Sequence, residues 1–112
     1  MDIHTLSKQY ITTMLQQIGG QHFIAMVGVI LPIYCSYNGI KCEHIAHIHF
    51  MAKNEKGINY LDLVYCEGMD TYRMEFYRMT VKGLKHIETC EDVYCDTLQS
   101  TFTSVTGLDT HL

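Results

Sequence analysis

The chain lacks a tract of either charge. Eight Lys and Arg against twelve Asp and Glu leave a formal charge of −4 over 112 residues. The basic residues are scattered, so no stripe can track a phosphate backbone, and direct nucleic-acid binding is not expected. The acidity is too modest for a nucleic-acid mimic. No Cys-x-x-Cys pair occurs among Cys35, Cys42, Cys66, Cys90 and Cys95, and an odd set of cysteines fits free thiols in a reducing cytoplasm. The segment from Met1 to Lys8 has no basic stretch followed by an apolar one, and the longest apolar run, Phe23 to Ile33, is broken by Gly28 and Pro32. Export and membrane insertion are therefore not expected. Internal repeats and low-complexity tracts are missing. No catalytic or cofactor motif stands out, so neither an enzyme nor a cofactor is expected.

Ordinary globular composition remains, 47% hydrophobic and 18% charged, of a length suited to one core. A single domain over residues 1–112 is expected. Leu6, Tyr10, Ile11, Met14, Leu15 and Ile18 recur at helical spacing, with Lys8, Gln9, Gln16 and Gln17 toward water. They predict an amphipathic helix over residues 5–18, capped by Asp2 or Thr5 and stopped at Gly19-Gly20. Gln21 to Val27, apolar on both sides and bounded by glycines, reads as a covered strand. Pro32 limits Ile30 to Tyr37 to an edge strand. Asn38-Gly39 then signals a hairpin.

Two runs alternate apolar and polar residues at every step, Lys41 to Met51 and Asp70 to Met79. Period two marks strands with one dry and one wet face. In the first, Ile40, Cys42, His44, Ala46, Ile48 and Phe50 form the core row, and Lys41, Glu43, His47 and His49 the outer row. Lys53 to Gly57 is a polar turn. Between Ile58 and Cys66, Asp62 sets the phase, because an unpaired carboxylate is costly in a core. Leu61, Leu63 and Tyr65 then point inward, and Tyr60, Asp62 and Val64 outward. After a turn at Glu67 to Asp70, Tyr72, Met74 and Phe76 face in, with Arg73, Glu75 and Tyr77 out. Val81 to Thr89 reads as a short fifth strand. Asp92 caps a last helix carrying Val93, Tyr94, Leu98, Phe102 and Val105 and ending at Gly107. The expected architecture is a two-layer α+β domain, an antiparallel sheet of four to five strands with an N-terminal and a C-terminal helix packed on one face.

The wet face is the candidate partner-binding surface: Glu43, His47, His49, Tyr60, Asp62, Arg73, Glu75 and Tyr77. It mixes aromatic area with both charge signs, which suits a protein partner. His47 and His49 project from one face two residues apart, so with Asp62 or Glu43 they form an alternative zinc site or metal-dependent hydrolase. The plainer reading of the same residues is cross-strand polar pairing. Cys42 and His44 share a side, but both fall on the core row, where they read as packing rather than a nucleophilic pair. Asp92 and Asp96 read as a cap and a first-turn charge rather than a carboxylate pair.

Gly19-Gly-x-x-Phe-Ile-Ala-Met26, Lys56-Gly-Ile-Asn-Tyr60, Met69-Asp-Thr-Tyr72, Glu75-Phe76, Asp92-Val-Tyr94 and Phe102-Thr-x-x-Thr-Gly-Leu108 together resemble a family of small proteins encoded by bacteriophages and mobile elements. The likeness runs from Gly19 to the C-terminus, and the Tyr34 to His49 stretch departs from the family pattern. The resemblance implies a context rather than a chemistry: binding and occlusion of a host protein in the bacterial cytoplasm, such as a component of a defence system, in the manner of an anti-CRISPR inhibitor. Self-association into a structural homodimer through the wet face is a second alternative.

Overall fold

The computed structural model describes the backbone of residues 3–108 and the side chains of residues 9–108. The capping roles expected of Asp2 and Thr5, and the side chains of Leu6 and Lys8, lie outside the described residues. Among the described residues, three helices and five strands follow in the order α1 (Ile3–Ile18), α2 (Gly20–Val27), β1 (Tyr34–Asn38), β2 (Glu43–His49), β3 (Tyr60–Cys66), β4 (Thr71–Thr80), β5 (Gly83–Val93) and α3 (Leu98–Thr106). The strands form one antiparallel meander in sequence order, with β1 and β5 at its edges. This is the expected α+β fold.

Helix α1 follows the predicted stripe, burying Ile11, Met14 and Ile18. Gly19 and Gly20 break it with φ of 132° and 57°, conformations that β-carbons disfavour. The chain then starts a second helix, and the strand expected over Gln21 to Val27 is corrected to α2. Phe23 and Val27, four apart, are buried, while Gln21, His22, Ala25 and Met26 are exposed. Ala and Met are good helix formers, and the exposed apolar Met26 disguised the helical period as a run apolar on both sides. Gly28, in the left-handed region at φ 66°, ends α2.

The hairpin at Asn38 is present, but its loop spans residues 39–42. The Asn38 side-chain oxygen accepts the amides of Ile40 and Lys41 at 3.1 and 3.3 Å. Ile40 is therefore 97% exposed, and Cys42 is exposed at φ 53°. This corrects the core positions expected for both and removes Lys41 from the outer row. From Glu43 onward the phase is as expected, with His44, Ala46, Ile48 and Phe50 inward.

Strand β5 is longer than expected and runs to Val93. Two register shifts, between Tyr72 and Met74 and between Phe76 and Tyr77 on β4, insert extra β5 residues and break the alternation that would have revealed it. Asp92 lies in β5 at φ 55° and caps nothing, and Val93 is a strand residue. Asp96 sits in the turn before α3, so the expected Asp92 and Asp96 pair is not on a helix. Thr97 occupies the N-cap position of α3.

All three helices cover one face of the sheet. Phe102 of α3 is the hub, with ring centroids 5.2 Å from Phe23, 5.7 Å from Phe50 and 6.1 Å from Phe76. Met14, Ile18, Ile48, Leu61, Leu63, Met74 and Leu98 complete a dry layer. His44 is also fully buried there, stacked on Tyr10 at 3.9 Å between ring centroids. Its Nε2 meets Glu67 Oε2 at 3.1 Å, and its Nδ1 has no hydrogen-bond partner among the described residues.

Candidate interaction surface

Strand phase places all eight predicted residues on the face opposite the helices. The register aligns them in rows across the sheet: His49, Tyr60 and Tyr77 in one, His47, Asp62 and Glu75 in the next. Such directly opposed side chains are the contacts through which neighbouring strands support one another.

The aromatic row runs from His49 to Tyr60 at 6.4 Å, Tyr60 to Tyr77 at 5.8 Å and Tyr77 to His86 of β5 at 5.5 Å between centroids. Burial, reinforced by the Asp62 carboxylate, pushes the Tyr60 phenol up to about 12. Tyr77 is raised by burial and by Glu75. Both phenols therefore stay neutral and serve as hydrogen-bonding, amphipathic contact area.

Glu43 departs from expectation. It belongs to the outer row yet is only 6% exposed, because Arg73 lies over it. The guanidinium donates from Nη1 at 2.7 Å and Nη2 at 3.2 Å to the two carboxylate oxygens, and from Nε at 3.3 Å to Glu75. The hydrogen bonds from Arg73 hold the Glu43 carboxyl below the usual carboxylate range against the opposing effect of burial. A forked pairing of this kind fixes the arginine firmly. Glu43 is thus a support beneath the surface rather than a contact on it. Val64 is also buried on this side, at 1% exposure, between Ile45 and Arg73 in register.

His47 is held at both ring nitrogens. Nδ1 lies 2.7 Å from Asp62 Oδ1 and Nε2 lies 2.8 Å from Ser36 Oγ. The proposed zinc set does not assemble: both His47 nitrogens are engaged, Glu43 is committed to Arg73, and His49 faces Tyr60. Among the described residues no three His, Cys, Asp or Glu side chains come together as a metal site. Cys42 and His44 do not form a nucleophilic pair either, with one in an exposed loop and the other in the core.

Sequence reasoning missed Ser36, Tyr34 and His86. Tyr34 is 71% exposed beside His47. Their phase depends on the four-residue loop after β1 and on the bulges of β5, which no local alternation announces. Among the described residues no helix is long and apolar enough to cross a membrane. The chain matches no family, no curated protein and no solved structure.

Proposed function

We propose that this chain is a protein-binding module, and that its outer sheet face is the contact surface. The observation that carries this reading is the preordered state of that face. Its aromatic row and its charged side chains are already locked by cross-strand pairing, so little side-chain freedom is lost on binding. Tyrosine and arginine, here in a fixed, half-buried array, are residue types that dominate protein contacts. On the resemblance to phage and mobile-element proteins, the partner is a host protein of the bacterial cytoplasm, such as a defence component that the module occludes.

The test spares Arg73, whose loss would strand Glu43. In the triple variant Tyr34→Ala, His49→Ala and Tyr77→Ala, capture of a host protein from lysate should be abolished while the cooperative melt is retained. Capture undiminished by the triple variant overturns the assignment of this face.

A further inference from the structure

We propose that Ser36, His47 and Asp62 form an acyl-transfer site on the outer face, with the Ser36 hydroxyl as nucleophile toward an ester or thioester carbonyl. This activity goes beyond recognition and uses residues that no sequence motif joined.

The three side chains stand on three adjacent strands, β1, β2 and β3, brought into file by the register Ser36 with Ile45 and His47 with Asp62. The polarity of the file is the informative part. Asp62 is an acceptor, so the neutral imidazole carries its proton on Nδ1, 2.7 Å from Oδ1. Nε2 then presents its lone pair to the Ser36 hydroxyl at 2.8 Å. Here the hydroxyl meets the free base and the carboxylate orients it, the arrangement that activates a serine. Exposure is graded in the same sense. Ser36 is open to solvent, whereas the His47 and Asp62 side chains are 31% and 19% exposed.

The edge position of β1 supplies the other requirement. Cys42 carbonyl oxygen accepts from Glu67 amide, and Phe50 amide donates to Asn59 carbonyl. That phase directs the amides of Tyr34, Ser36 and Asn38 toward β2 and those of Cys35 and Tyr37 toward the free edge. The Tyr37 amide, which follows the nucleophile in sequence, therefore has no partner on β2 and is open at the sheet edge beside Ser36, where the acyl-transfer step requires it to donate to the oxyanion. In the step itself, Ser36 Oγ bonds to the carbonyl carbon, its proton passes to His47 Nε2, and the carbon–oxygen or carbon–sulfur bond breaks. The leaving alcohol or thiol takes that proton, and water then attacks the acyl-serine by the same route, releasing the acid. The fitting substrate is an acyl group small or extended enough to lie along the edge strand.

The full chain treated with a fluorophosphonate probe should gain one adduct, mapped to Ser36 by peptide mass spectrometry. Labelling should vanish in Ser36→Ala and in urea-unfolded protein. It should slow by about 100-fold or more in His47→Gln and by about 10,000-fold in the isosteric Asp62→Asn, whose amide forces the wrong tautomer on His47, each with its melting transition retained. Should His47→Gln fail to fold, the Asp62→Asn rate and the urea control decide. No adduct, an adduct elsewhere, or Ser36 labelling at an unchanged rate in the folded histidine or aspartate variants overturns the proposal.

Discussion

Glu43 shows how a residue read correctly for direction can still differ in environment. Its phase follows from the alternation of Ala46, Ile48 and Phe50, so its place on the outer row was legible. Its burial was not, because that depends on an arginine thirty residues on that reaches diagonally across β3. Removing Arg73 leaves a nearly buried carboxylate without its cation. Arg73→Ala should cost about 3 kcal/mol, at the lower end for such pairs because the guanidinium is partly exposed, as read by urea denaturation at pH 7. The folded-state pKa of Glu43 lies below its ordinary 4.5. Its ionised form therefore adds stability that is complete above the unfolded value and is lost as pH falls through the lowered folded value. Urea midpoints measured through that acid range should fall in the wild type and fall less steeply in Arg73→Ala.

At the scale of elements, legibility followed local regularity. Strands β2 and β4 alternate cleanly and Asp62 phases β3, so their faces could be read directly, though not their register. Helix α1 was equally plain, and of the stripe expected for α3 the residues Leu98, Phe102 and Val105 hold, whereas Val93 ends β5 and Tyr94 lies exposed between the two elements. Helix α2 was not, because eight residues give only two turns and Met26 placed apolar surface on its wet side. Strand β5 was obscured by its two bulges, and Ser36 by a hairpin loop two residues longer than the tightest turn. Gly28 lies where α2 meets the end of β2, at φ 66°, and a β-carbon there would sit 3.4 Å from Met51 Cβ. Gly28→Ala should therefore destabilise the protein by about 1 kcal/mol, from left-handed backbone strain rather than from the contact, which is of ordinary van der Waals length. A thermal or urea melt measures it, and an unchanged midpoint would remove the structural role assigned to this helix end.

For the whole molecule, the decisive contact is the one made by the last helix. Phe102 joins Phe23 of α2, Phe50 after β2 and Phe76 of β4, so one ring ties both layers together. Phe102→Ala should cost about 3 to 5 kcal/mol and lower the midpoint of a single transition, whereas a separate early transition would show that α3 melts as its own unit. The order of parts along the chain gives this contact a temporal meaning. Each strand pairs only with its neighbours in sequence, so the sheet can zip as it leaves the ribosome. Helices α1 and α2 precede the strands they cover, but the space that Phe102 fills stays open until α3 is made, so synthesis of that helix is the step that completes the core.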